Sequence, residues 1–207
     1  MKKITDVKPQ LKNKTRVNIY LDNSFYCGLE LETLMKNRLK IGMEIEEERL
    51  DEIQKESEAS RALDKALNFI SRSKKTRKQV KTYLAGKGYT EKTIDFVIEK
   101  MEGYAFINDG EYAEEYAAAY SKNKGKRLIA LELKQKGVSE KDMKVALENI
   151  GDESENAAAV ARKYMKNKEK SRENTLKCYK YLLSKGFDYD TAKEVAEREG
   201  KNEDDSF

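Results

Sequence analysis

Histidine and tryptophan are absent from this chain of 207 residues; proline occurs once and cysteine twice. Without histidine, imidazole metal sites and Ser-His or Cys-His catalytic pairs are excluded. Cys27 and Cys178 form no C-x-x-C pair, as expected of a reduced compartment. The lone proline, Pro9, leaves the rest of the chain free to build long helices. No apolar run approaches membrane-spanning length and no N-terminal apolar signal region is visible. A cytoplasmic protein without a membrane partner is therefore expected. No G-x-x-x-x-G-K-[ST] loop occurs. The carboxylates are scattered among lysines at i,i+3 and i,i+4, as surface pairs are. Neither catalytic residues, nor a metal site, nor a cofactor is expected.

What the chain does contain is charge. Charged residues make up 39% and hydrophobic ones 38%, which favours several thin cores over one large one. The formal net charge of +4 permits nucleic acid without requiring it.

Residues 1–45 read as a small β-hairpin module. In "RVNIYLD" Val17, Ile19 and Leu21 alternate with polar neighbours, "DNS" is turn chemistry and "FYCGLEL" returns. "LETLMKNRL" suits a short helix and "KIGMEI" a further extended stretch. Residues 46–60 are polar on most faces and read as a solvated connecting helix. Beyond them, Leu63, Ala66, Leu67 and Ile70 form a helical stripe.

From there the chain repeats itself. "LAGKGYT" (84–90), "LKQKGVS" (133–139) and "LLSKGFD" (182–188) are spaced by 49 residues. The same gapless shift superposes Val80, Ile129 and Cys178, and likewise Val97, Ala146 and Val195. Gly88, Gly137 and Gly186 are expected to end a helix in the left-handed conformation. Thr90, Ser139 and Asp188 are then expected to cap the next one. Asn108 or Asp109 is the expected cap of the second copy's first helix, Asn108 with Glu111 fitting a capping box. The fold class expected is mainly α: three tandem three-helix repeats forming an elongated curved array, preceded by the hairpin module. The repeats are placed at 61–105, 106–152 and 153–200, with an acidic tail at 201–207.

Basic residues recur before each middle helix. They are Arg72, Lys74, Lys75, Arg77, Lys78 and Lys81 in the first copy, and Lys122, Lys124, Lys126 and Arg127 in the second. The third copy has Lys166, Lys168, Lys170 and Arg172. Such a recurrence suits a polyanion or an acidic protein groove. Solvated surface lysines are the blander reading. Tyr83, Tyr89, Tyr104, Tyr112, Tyr116 and Tyr120 are assigned mainly to thin cores, with stacking on bases as the lesser reading.

The repeats, together with "LAGKGYTEKTIDFVIEKM", "INDGEYAEEY" and the N-terminal "NKTRVNIYLDNSFYCGLEL", resemble the RecX family of bacterial regulatory proteins, which modulate the recombinase RecA. One departure is "GYAFIND", a residue longer than the family pattern. The resemblance implies a regulator of recombination that binds RecA filaments on single-stranded DNA and restrains ATP hydrolysis and strand exchange. Direct contact with single- or double-stranded DNA is left open, and a monomer is the simplest state. The alternative is a freestanding DNA-binding protein acting by competition for DNA. The acids in "TEKTIDFVIEKM" and "SEKDMKVALENI" speak against groove insertion.

Overall fold

The structure is a computed structural model and describes residues 1–11 and 13–200; the acidic tail expected at 201–207 lies outside the described residues. Two compact units divide it: residues 1–73 with 80–107, and residues 74–79 with those from 108 onward.

The first unit opens with strands β1 (Lys2–Gln10), β2 (Asn13–Leu21) and β3 (Ser24–Glu30), then helix α1 (Leu31–Lys36) and the short β4 (Glu44–Ile45). The strands form an antiparallel sheet in the order β3-β2-β1-β4, so the expected hairpin is the β2–β3 part of a larger sheet. The β2–β3 turn places Asp22 and Asn23 at positive φ, the conformation that a tight hairpin demands and that Asn and Asp tolerate. Strand β1 escapes a period-of-two reading because its register shifts between Ile4 and Asp6. That bulge puts Ile4 and Val7 on the core side three residues apart.

Helix α2 (Glu47–Ile70) is one uninterrupted element of 24 residues. Its N-terminal half is not solvated all round. Leu50 and Ile53 are buried against Ile4, Ile19, Cys27 and Leu29 of the sheet. The buried Ser57 Oγ accepts the Glu30 N–H at 2.7 Å, and Tyr26 donates its hydroxyl to Asp51 Oδ1 at 2.7 Å. The C-terminal half buries Ala62 and Ala66 against Val80 and Leu84 of α3 (Arg77–Ala85) and Ile94, Val97, Ile98 and Met101 of α4 (Glu91–Gly103). One rod thus serves two cores. Burial pushes the Cys27 thiol up to about 11 and also raises that of Cys178, which leaves both as neutral core residues near pH 7.

The second unit holds α5 (Asp109–Tyr120), α6 (Lys126–Lys136) and α7 (Glu140–Glu148), then α8 (Ser154–Met165), α9 (Arg172–Ser184) and α10 (Tyr189–Gly200). Alanine is prominent in its two cores. Ala113, Ala117 and Ala146 pack with Ile129 and Leu133; Ala157, Ala158 and Ala161 pack with Leu182 and Phe187. The chain is mainly helical, with three tandem three-helix domains after the strand module.

The stretch "GYAFIND" closes α4. Phe106 N–H returns to Met101 O at 2.8 Å and Ala105 N–H to Glu102 O at 2.9 Å, with Ala105 at φ 56°. Alanine in that region is strained by about 1–2 kcal/mol. Ala105→Gly is expected to stabilise the protein by about 1 kcal/mol, read as a higher urea midpoint at an unchanged m-value.

Candidate functional site

The three "KG" turns are built alike. In each, the residue after the glycine donates its N–H to the carbonyl five positions back: Tyr89 to Leu84, Val138 to Leu133 and Phe187 to Leu182. The glycine N–H itself bonds three back, and Gly88, Gly137 and Gly186 have φ of 84°, 87° and 87°. These turns satisfy carbonyls that the helix end would leave orphaned. The next helix is then capped by Thr90 accepting from Thr93 N–H at 3.3 Å, or by Ser139 accepting from Asp142 N–H at 3.1 Å. Asp188 accepts from Asp190 and Thr191 N–H at 3.0 and 2.9 Å. The turn lysine also lies over a tyrosine ring each time: Lys87 on Tyr83 at 5.3 Å, Lys136 on Tyr116 at 5.1 Å and Lys185 on Tyr181 at 5.2 Å.

Two of these turns are occupied. The start of α3 sits on the turn of Gly137. Thr76 is fully buried, forms a capping box with Gln79, and donates Oγ1 to Lys136 O at 2.6 Å. Lys78 donates Nζ to Gln135 O at 3.1 Å and lays its stem on the glycine. A methyl group on Gly137 would stand 2.5 Å from Lys78 Cβ. The start of α6 sits in the same way on the turn of Gly186. Gly125 N–H donates to Lys185 O at 2.9 Å and Arg127 N–H to Gly186 O at 3.1 Å. A methyl group on Gly186 would stand 2.4 Å from the backbone nitrogen of Leu128. An acid completes each contact: Asp109 Oδ1 accepts from Arg77 N–H at 2.8 Å, and the buried Glu153 accepts from Lys126 N–H at 2.9 Å and Asp188 N–H at 3.3 Å. Asp109 therefore serves the first turn of α3. The cap of α5 is Asn108, whose Oδ1 accepts from Gly110 and Glu111 N–H at 3.1 Å each.

The basic residues divide into two groups. Some are used internally. Lys74 pairs with Glu111 and Glu115, and Lys81 with Asp95. Lys124 pairs with the half-buried Glu132, which also accepts the Tyr116 hydroxyl at 2.8 Å, and lies 4.4 Å over Tyr120. Burial first, and that carboxylate second, hold the Tyr116 hydroxyl far above its ordinary pKa. Lys168 sits 3.5 Å over Tyr164, and Arg127 lies 4.9 Å over Tyr189. Lys75, Arg77 and Lys78 are likewise engaged. Arg72, Lys122, Lys166, Lys170 and Arg172 make no such contact among the described residues and are exposed, as Lys74, Arg77, Lys78, Arg127 and Lys168 also are. Most of the tyrosines spend their faces on one another and on lysines. Tyr83 stacks on Phe69 at 4.2 Å, Tyr116 meets Tyr120 at 4.4 Å and Tyr164 stacks on Tyr181 at 4.4 Å, while Tyr104 stays 64% exposed. Thr76, Gly125 and Glu153 escape sequence reading, since a hydroxyl and a bare backbone N–H make the same contact in different copies. Among the described residues, no cluster of three or more Cys, Asp or Glu is placed to hold a metal, and no helix is long and apolar enough to cross a membrane.

Family models match along nearly the whole chain. The RecX N-terminal domain model covers residues 2–46, and the first, second and third RecX three-helix domains cover 62–101, 108–147 and 152–196. The chain belongs to the RecX family of regulatory proteins. Regulatory protein RecX of Clostridium perfringens (strain 13 / Type A) is 35% identical over 209 aligned positions, spanning 98% of this chain and 99% of that protein. The RecX of Listeria monocytogenes (serovar 1/2a, strain EGD-e) is 34% identical over 94% of this chain and 74% of its own. A crystal structure of regulatory protein RecX superposes with a TM-score of 0.71 at 25% identity, covering 95% of this chain and 100% of that one. RecX from Lactobacillus salivarius gives 0.62 at 29% identity, over 68% of this chain and 95% of that one.

The glycine turns generate an ordered prediction. Gly88→Ala meets no neighbour and costs only the conformational strain, about 1–2 kcal/mol. Gly137→Ala must also move the Lys78 side chain, and Gly186→Ala meets the backbone of Leu128, which adds about 1–3 kcal/mol of overpacking. Urea denaturation is expected to rank the losses as Gly186 > Gly137 > Gly88. The cap at Asp188 carries a pH signature. The Thr191 hydroxyl, and then the N–H groups of Thr191 and Asp190, hold its carboxyl below the ordinary range against burial. Its contribution is therefore complete above the unfolded value near ~3.9 and is lost as pH falls through the lower folded value. Asp188→Ala is expected to cost about 1 kcal/mol at pH 7. The difference from the parent should narrow below about pH 4 in melts recorded from pH 7 to pH 2.

Proposed function

We propose that this chain binds the RecA filament on single-stranded DNA and restrains its ATP hydrolysis and strand exchange. The observation that carries the reading is the match of all four RecX domain models in order along one chain. The structure supports it in two ways. A series of like modules suits a polymer of like subunits, because several weak contacts on one ligand add avidity without new chemistry. The exposed cations Arg72, Lys122, Lys166, Lys170 and Arg172 leave positive charge available for an acidic filament surface or for DNA.

The test titrates the protein substoichiometrically into RecA turning over ATP on single-stranded DNA, beside a binding curve for the DNA alone. Loss of ATPase at protein levels too low to coat the DNA is expected. Loss only once the DNA is saturated, with a steep salt dependence, would replace this reading with competition for DNA. Reversing Arg72, Lys122, Lys166 and Lys170 to glutamate together is expected to slow association with the filament roughly tenfold or more at low salt. The effect should shrink as ionic strength rises, read by surface-immobilised filaments. An unchanged rate would remove these residues from the contact.

A further inference from the structure

The third glycine turn, at Gly88, has the same backbone as the two that are filled, yet it is open. Its φ is 84° and its hydrogen bonds repeat those of Gly137 and Gly186. No atom lies within 4 Å of where a side chain would begin, and residues 85–88 are all exposed. Thr90, two residues after the turn glycine, borders a groove of about 1050 Å³ between α2 and α4, which Glu58, Ser60, Leu63, Glu91 and Phe96 also line. Phe96 is 50% exposed there. Glu58 makes no ion pair or hydrogen bond among the described residues, whereas Asp109 and Glu153 at the filled turns each accept an incoming N–H.

We infer that the Gly88 turn is a docking seat for the N-terminal turn of a helix on another protein. The occupant's chemistry is read from the two seats this chain fills itself. It offers a hydroxyl or bare N–H to the Lys87 carbonyl, as Thr76 and Gly125 do to Lys136 and Lys185. It lays an aliphatic stem, such as that of a lysine or leucine, on the glycine, as Lys78 and Leu128 do. Glu58 receives its first free N–H, which is what an anion does at a positive helix start. A second copy of this chain does not supply the occupant. The helix start that continues the 49-residue series is that of α9, which begins a turn early at Arg172. There Thr175 keeps its hydroxyl on Ser171 O at 3.0 Å, and a methyl group on Gly200 would stand 2.1 Å from that hydroxyl. That start is already covered. The inference goes beyond the filament reading and is tested apart from it.

The probe is a helix-stapled, fluorescently labelled peptide of residues 73–85, the segment that fills the Gly137 turn, added to the full chain and followed by anisotropy. Gly88→Asn fills the seat with a residue that tolerates positive φ, so folding is kept; Glu58→Lys removes the acid without touching the backbone. Gly42→Asn is the matched control, a positive-φ glycine in open space elsewhere. The parent and Gly42→Asn are expected to bind equally, and the other two variants at least tenfold more weakly, with unchanged circular dichroism. Tenfold corresponds to about 1.4 kcal/mol, within the cost of crowding a packed contact. Absence of binding to the parent, or equal binding to Gly88→Asn, overturns the inference. Self-association of the parent that Gly88→Asn abolishes overturns the assignment to a foreign helix. None of these outcomes depends on the ATPase result, so the two readings stand or fall separately.

Discussion

The start of one middle helix resting on the left-handed glycine that ends the next is the contact on which the second unit depends. Alanine supplies a large share of its two cores, beside Ile129, Leu133, Leu182 and Phe187. A unit so thin gains little from area alone. The glycine turns supply what the cores lack. Backbone meets backbone at Gly125 and Gly186, carbonyls at one helix end receive donors from the next, and buried polar groups are matched rather than merely hidden. Glu153 shows how closely this is drawn, since one buried carboxylate answers the amides that begin both α6 and α10.

This arrangement changes how the positive charge is to be understood. Lysines that look like a continuous basic ribbon in sequence separate into those held by carboxylates, carbonyls or rings of this chain and those that are not. Lys78 is a packing residue whose stem closes a turn, and Lys124 is held by Glu132 and a tyrosine ring. The exposed pair between Lys74 and Glu111 adds little stability by itself, because solvent screens it. It does neutralise acids that would otherwise offset the free cations. The potential presented to a partner comes from a smaller and different set of side chains than the count of lysines suggests.

The repeat was legible in the sequence because its signals are local. A glycine needing positive φ, a hydroxyl or carboxylate cap two residues later and apolar columns at helical spacing each act within one turn of chain. The strand pair β2–β3 was legible for the same reason. Strand β1 was not, because its bulge disguises the alternation. The function of α2 as the shared wall of two cores was hidden by an otherwise polar sequence, in which Leu50, Ile53 and Ser57 are a narrow stripe. Sequence leaves Asn108 and Asp109 as alternative caps of α5, because it shows which residues can cap and not whose amide lies nearest. The contacts of Thr76 and Gly125 join residues 60 apart through a hydroxyl in one case and a main-chain amide in the other, so no residue type marks them.

The spacing of 49 residues has an evolutionary side. Because Thr76 and Gly125 reach equivalent turn carbonyls, a duplicated or deleted block of that length, cut at equivalent positions, brings an equivalent donor onto a glycine turn at the new junction. Length can then change in whole modules while the joints stay fixed. The last module departs from that pattern: its α9 starts early and Thr175 lies close to Gly200, so that helix start offers no such joint.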